Sequence, residues 1–135
     1  MEQPMGVEVR LNLSFEAALD TVTGALQKEG FGVLTRIDVP AAFKEKLGKD
    51  FRPFVILGAC NPPLAHAALS NDARVGLFLP CNVVVEQRQD GVWASLVNPE
   101  VMLGVGSLAQ NPELRRVASD ARARFERVAS SLRQT

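Results

Sequence analysis

The chain has 135 residues, of which 47% are hydrophobic and 22% charged, and its 15 basic and 15 acidic side chains give a formal net charge of zero. This length and composition predict a soluble globular protein with a single domain over residues 1–135. The balanced charge argues against nucleic-acid and membrane-surface partners, because neither would be attracted electrostatically. The first residues lack the basic and apolar regions of a secretory signal, so we expect a cytoplasmic location.

The first third of the chain predicts a strand, a helix, a second strand and a short helix. Apolar and polar residues alternate over 7–13, which is typical of a half-buried strand. Ser14 is a suitable N-cap for a helix over 15–29, in which apolar residues recur at helical spacing along one face. A strand over 31–38 and a short helix over 41–47 follow.

The middle of the chain contains the longest apolar run. Residues 54–60 predict a strand that lies inside the sheet, since no polar residue interrupts them. Asn61 can cap a short helix that begins at Pro62 or Pro63 and runs to Leu69.

The next segments predict three stretches of strand. Residues 75–78 and 83–87 are strand-like on either side of Pro80, which cannot donate a hydrogen bond to a sheet and so implies a break or an edge there. Asp90-Gly91 is a strong signal for a hairpin turn into a strand over 92–97.

The C-terminal third predicts a loop and a long helix. Residues 98–112 contain two glycines and two prolines, so we expect a loop, with at most a helical turn at 101–103. The helix over 113–133 has an apolar stripe on one side and arginines on the other, as a surface helix does. This order predicts an α+β fold: a two-layer sandwich in which the long helices pack on one face of an antiparallel sheet.

Two short segments carry the candidate chemistry. Residues 57–63 (LGACNPP) and 79–82 (LPCN) each place a cysteine beside an asparagine and near a proline, and Cys60 and Cys81 are the only cysteines. We call them the first and second Cys–Asn segments. The candidate ligand-binding residues are those at the centre of each segment: Cys60, Asn61, Pro62, Pro80, Cys81 and Asn82.

The residue types leave several interpretations of these segments open. The cysteines are small buried residues at tight turns, a redox pair or nucleophile, or ligands of a soft metal ion, for which Cys60, Cys81 and His66 are weak candidates. Two sulfurs and the single histidine leave a zinc site one ligand short. Neither a Cys-x-x-Cys motif nor a nucleophile elbow is present, so the sequence leans away from an enzyme and indicates no definite cofactor.

The two Cys–Asn segments, together with 98–102 (NPEVM), resemble the bacterial and archaeal family catalogued as domain of unknown function 302. The resemblance extends over about residues 13–132. It implies a TATA-binding-protein-like fold, with the order strand, helix, four strands, helix, and it implies a homodimer. Phe54 and Asn98 depart from the family pattern, in which tyrosine and aspartate are common at these positions.

The resemblance does not supply an activity, so the functional hypotheses come from the residues. The first is a module that binds a small ligand or a soft metal ion around the two Cys–Asn segments. The second is a thiol-based redox protein or enzyme that uses Cys60 and Cys81. The third is a dimeric interaction protein in which these segments only shape a turn.

Overall fold

The computed structural model describes residues 3–135; Met1 and Glu2, where the predicted domain begins, lie outside the described residues. This part of the chain contains five strands and five α-helices. In chain order they are β1 (Gly6–Leu11), α1 (Phe15–Lys28), β2 (Gly32–Asp38), α2 (Val39–Leu47), β3 (Phe54–Cys60), α3 (Pro62–Asn71), β4 (Cys81–Arg88), β5 (Gly91–Val97), α4 (Pro99–Met102) and α5 (Pro112–Leu132).

The strands form one antiparallel sheet in the order β1-β5-β4-β3-β2. The first strand therefore pairs with the last, and the apolar run of β3 lies between β2 and β4, as its composition predicts. A register shift between Val33 and Thr35 reverses which residues of β2 face each side. The predicted α+β class with an antiparallel sheet is confirmed.

The hydrophobic core lies between one face of the sheet and the helices α1 and α5. Alternate strand residues enter it, and its helix side comes from the apolar stripes of the two long helices. The sheet side is made by Val9 and Leu11, Val55, Leu57 and Ala59, Cys81, Val83 and Val85, and Val92, Ala94 and Leu96.

Asparagine and aspartate side chains fix where four of the five α-helices begin. Asp38, Asn61, Asn98 and Asn111 each accept a hydrogen bond from a backbone N–H in the first turn of the helix that follows, and a proline occupies one of its first two positions. This combination satisfies donors that a helix leaves free at its N-terminus.

Two segments differ from the sequence predictions. Residues 75–78 are not a strand but part of a 3₁₀ helix over Ala73–Phe78, which Asp72 begins by accepting a hydrogen bond from the N–H of Arg74. Only Val75 in this segment is fully buried, so its apolar residues do not line a sheet face. Residues 98–112 are also more helical than predicted, since they contain α4 and a 3₁₀ helix over Gly106–Gln110.

The opposite face of the sheet carries a charged and aromatic row. Phe54, Glu86 and Trp93 lie side by side on three neighbouring strands. The Glu86 carboxylate accepts hydrogen bonds from Arg52 and Arg88, and the Arg88 guanidinium lies 4.6 Å from the centre of the Trp93 ring. Trp93 is therefore not a core residue.

The short helix α2 stands apart from the core, since none of its residues is buried. Phe43 of α2 contacts Phe51, which in turn contacts Phe54 at the start of β3. Within residues 3–135, no helix is both long and apolar enough to cross a membrane. The likeness to TATA-binding protein stays a prediction.

Candidate functional site

The two Cys–Asn segments meet at the same end of the sheet. In the pairing of β3 with β4, Ala59 lies opposite Cys81 and Gly58 lies opposite Asn82. The Leu79–Pro80 peptide bond is cis. Gly58 allows a close contact, because a Cβ atom at this position would stand 2.7 Å from Cγ of Pro80 and 2.2 Å from Oγ1 of Thr35.

A cavity of about 260 Å³ opens beside this end of the sheet, and we call it the α3 cavity. It lies between the strand ends, α3, α4 and α5, and the chain from Phe31 to Leu34 borders it too. Its volume exceeds the roughly 150 Å³ of an apolar cavity known to hold benzene or xenon. The space is therefore sufficient for a small organic molecule.

The cavity exists because small side chains surround it. Ala59, Ala65, Ala68 and Ala121 project too little to fill the space between the sheet and the helices. Natural cores are packed to the density of organic crystals and rarely leave voids larger than a water molecule. The small side chains of these alanines therefore leave space that larger side chains would fill.

The cavity communicates with solvent past two exposed leucines. Leu34 on β2 is 67% exposed and Leu69 on α3 is 42% exposed, and both line the cavity. Exposed apolar side chains at the rim of an apolar cavity extend its surface outward. A ligand could therefore enter between β2 and α3 without crossing a charged group.

Cys60 and Cys81 both line the α3 cavity, but they differ in burial. Cys60 is half-buried, and Cys81 is 7% exposed. Burial raises the pKa of the Cys81 thiol to about 12, and the negative charge of an ionised Cys60 adds to this shift. Cys81 is consequently a neutral thiol at physiological pH, which is the wrong form for a nucleophile.

Asn61 borders the cavity, but its side-chain amide is engaged in hydrogen bonds with other parts of the protein. Its Oδ1 accepts a hydrogen bond from the N–H of Leu64 at 3.2 Å, and its Nδ2 donates one to the carbonyl of Glu29 at 3.4 Å. The first bond caps α3 and the second joins it to the end of α1. Gly30 permits this approach, because a Cβ there would lie 2.8 Å from Nδ2 of Asn61.

The remaining candidate residues fall into two groups. Pro80 lines the α3 cavity with the two cysteines. Pro62, His66 and Asn82 are exposed and do not line it; Asn82 lies on the opposite face of the sheet, where it borders an open groove of about 510 Å³. The structure thus brings Cys60, Asn61, Pro80 and Cys81 to one cavity and separates Asn82 from them.

The three candidate ligands of a soft metal ion do not all lie at one place. Within residues 3–135, no group of three or more histidine, cysteine, aspartate or glutamate side chains is placed to hold a metal ion. His66 lies outside the cavity that the two cysteines share. Cys60, Cys81 and His66 are therefore not brought together as a three-ligand group within this part of the chain, and a metal site stays a prediction.

Several cavity residues carry no signal in the sequence. Met102 of α4, Leu103 directly after it and Val117 of α5 line the cavity although they are far from the cysteines along the chain. Asn98 places α4 there: its Oδ1 accepts a hydrogen bond from the N–H of Glu100, and its Nδ2 donates to the carbonyl of Pro4 at 2.9 Å. An ionised aspartate at position 98 has no donor and could not make the bond to the carbonyl of Pro4. The asparagine amide therefore suits this chain.

The fold and the cavity define a small α+β protein with an apolar cavity at one end of its sheet. A family model described as domain of unknown function DUF302 matches residues 7–132, and the chain belongs to this family. The chain is also similar to the crystal structure of an uncharacterized conserved DUF302 protein from Bacillus stearothermophilus, with 30% identity and a TM-score of 0.86 over 97% of this chain and 100% of that one. A comparison with curated proteins gives no match.

Replacement of the two asparagines should separate their roles. We expect Asn61→Ala to lower the free energy of unfolding by about 1–2 kcal/mol, because it removes the cap of α3 and the bond to Glu29. Asn82→Ala, the matched control on the exposed sheet face, should change it by less than about 0.5 kcal/mol. Urea unfolding of both variants measures the difference. An equal loss of unfolding free energy in the two variants would contradict a structural role that is specific to Asn61.

The two thiols should differ in their reaction with iodoacetamide. At pH 7 a thiol with a pKa of about 12 is ionised in on the order of one molecule in 10⁵, and the folded chain also shields Cys81. Mass spectrometry of the folded protein should show Cys60 modified first and Cys81 protected, whereas in urea both should react alike. Modification of Cys81 at the rate of Cys60 in the folded protein would contradict this description of the cavity.

Proposed function

We propose that this protein is a binding module that holds a small, uncharged and largely apolar ligand in the α3 cavity. The observation that carries the proposal is an open, apolar cavity of about 260 Å³ at the edge of the core, bordered by both Cys–Asn segments. Binding sites for small molecules are typically preformed, concave and lined by apolar side chains. The setting that fits free thiols at this site is the reducing cytoplasm.

The polar groups around the cavity restrict the chemical class of the ligand. The amide of Asn61 is used within the protein, and residues 3–135 contain no buried side-chain nitrogen or oxygen that lacks a hydrogen-bond partner. A polar group on a ligand would lose its water and find no partner, which costs about 1–3 kcal/mol per group. The cavity therefore favours a hydrocarbon or aromatic body whose polar parts, if any, remain at the entrance.

The thiol chemistry of the second hypothesis receives less support. A buried neutral thiol at Cys81 does not suit a nucleophile or a rapid resolving cysteine. The thiols are instead compatible with a binding wall, because a neutral cysteine behaves as a small hydrophobic residue. The homodimer and the absence of nucleic-acid and membrane partners stay predictions.

A matched pair of probes tests the proposal. Naphthalene should bind with a Kd on the order of 0.1 mM, on the basis of about 0.5 kcal/mol per carbon atom. Naphthalene-1-sulfonate has the same rings but carries a charge for which the α3 cavity has no partner, so it should bind at least about tenfold more weakly. Isothermal titration measures both, and methyl NMR shifts at Leu64 and Leu69 locate the ring.

Variants of two alanines on α5 provide the control. Ala121 lines the cavity, whereas Ala123 is exposed on the other side of the same helix. Ala121→Leu should fill the cavity and weaken naphthalene binding by about tenfold or more, and Ala123→Leu should leave it unchanged. Should Ala121→Leu disturb folding, Ala68→Val fills the same space with fewer atoms. Equal affinity in the cavity-filled and control variants would refute the proposal.

A further inference from the structure

The strands β1 and β2 form the two edges of the sheet, and they differ in exposure. Two of the six residues of β1 are exposed, Glu8 and Arg10. Both are held within the chain, since Glu8 forms an ion pair with Arg88 and Arg10 donates to the carbonyl of Asp90. Six of the seven residues of β2 are exposed, so β2 is the more open edge.

The backbone of β2 has unpaired groups along this edge. It pairs with β3 alone, and within residues 3–135 no further backbone–backbone hydrogen bond involves residues 32–38. The N–H and C=O groups of successive residues in a strand point to opposite sides, so alternate residues of β2 present theirs outward. A row of this kind is a template for another strand.

An apolar row on the sheet face opposite α1 and α5 ends at the same edge. Ile37 of β2 pairs with Ile56 of β3, and Ile56 pairs with Val84 of β4. Ile37 is 50% exposed, because no strand lies on its outer side. Edge strands are usually protected by charged side chains, whereas this row stops at an exposed isoleucine.

The helix that follows β2 leaves the edge accessible. Phe43 of α2 contacts Phe51, and Phe51 contacts Phe54 at the start of β3, so α2 lies on the β3 side of β2. The register shift in β2 falls before Thr35, and residues 35–38 pair regularly. This half of β2 is therefore both open and suitable for pairing.

The regular half of β2 carries one cation and one anion. Arg36 pairs with Leu57 and Asp38 pairs with Val55, so both charged residues are on the helix side of the sheet. Neither belongs to an ion pair within residues 3–135. Opposite charges two residues apart are self-complementary when two copies of the strand run antiparallel.

We infer that β2 binds a second copy of this chain, with the two β2 strands antiparallel about a two-fold axis at Ile37. Such an axis, perpendicular to the sheet, relates antiparallel strands and keeps each sheet face on its own side. Ile37 then lies opposite Ile37 of the other copy, and Arg36 of each copy lies opposite Asp38 of the other. The two five-stranded sheets join into one, and the apolar row continues across the axis.

The charges select this register over its neighbours. An axis at Arg36 would set the two guanidinium groups opposite each other, and like charges directly opposite are destabilising. An axis at Thr35 would leave Arg36 opposite Leu34 and would include the register shift. This inference goes beyond the proposed function, because it depends on the edge of β2 and not on the volume of the α3 cavity.

Complementary charge reversals test the inference by sedimentation velocity of the full chain. Because few residues pair, the unaltered protein should be mainly dimeric at about 0.5 mM and should dissociate on dilution. Arg36→Glu sets two carboxylates opposite each other, and Asp38→Lys sets two cations, so each variant alone should dimerise at least about tenfold more weakly. An equal mixture of the two variants restores both pairs and should sediment as a heterodimer.

The mixture also controls for folding, because only correctly folded copies can restore the dimer. Lys46→Glu, an equal charge reversal on the exposed α2, should leave dimerisation unchanged. A monomeric unaltered protein, a dimer that both edge variants retain, or a mixture that stays monomeric would each overturn the inference.

An Ile37→Cys variant supplies a readout that does not depend on charge. Opposite residues of an antiparallel pair have Cβ atoms about 4.5–5.5 Å apart, close to the separation in a disulfide. Oxidation with diamide should link two copies of this variant, and dithiothreitol should release them. Leu34→Cys, at an exposed position that does not face itself, should link no faster than the unaltered protein with its native cysteines. Equal linking in the two variants would overturn the register.

Discussion

The side-chain amide of Asn61 is the interaction on which the arrangement of the site depends. It caps α3 through Leu64 and at the same time donates to the carbonyl of Glu29 at the end of α1. Arg124 of α5 donates to the same carbonyl at 3.0 Å, so three helices are tied together at one point. Because α3 is held by its first turn at this junction, the rest of the helix can stand away from the sheet and leave the cavity beneath it.

The fold tolerates such a cavity because the rest of its core is extensive. Apolar residues from four strands and two long helices form one continuous core, in which Phe31 and Phe125 contact each other with ring centres 4.6 Å apart. An unfilled volume loses dispersion contacts and lowers stability, so a protein without a use for the space would gain by filling it with larger side chains. The proposed ligand would give the alanines of the wall a functional explanation, as is common where activity and stability compete.

The secondary-structure elements follow from local sequence patterns, whereas the site depends on contacts between residues that are far apart in the sequence. Period-two and helical patterns and strong caps such as Ser14 and Asn61 predict most elements correctly. The strand predicted at 75–78 is wrong because apolar residues there recur without a neighbouring strand to pair with, and the cap at Asp72 favours a 3₁₀ helix. The Cys–Asn segments indicate where the site lies, but Met102 and the alanine walls come from segments that only the tertiary fold brings together.

The central claim is that the two Cys–Asn segments enclose an open, apolar cavity under α3, and a crystal structure under xenon pressure tests it most directly. Xenon binds in dry apolar cavities and has no hydrogen-bonding capacity, so it reports on the space itself. We expect a xenon atom in contact with Cys60, Cys81 and Leu64, without displacement of α3. A cavity closed by α3 on the sheet, or filled by ordered water molecules, would contradict this account.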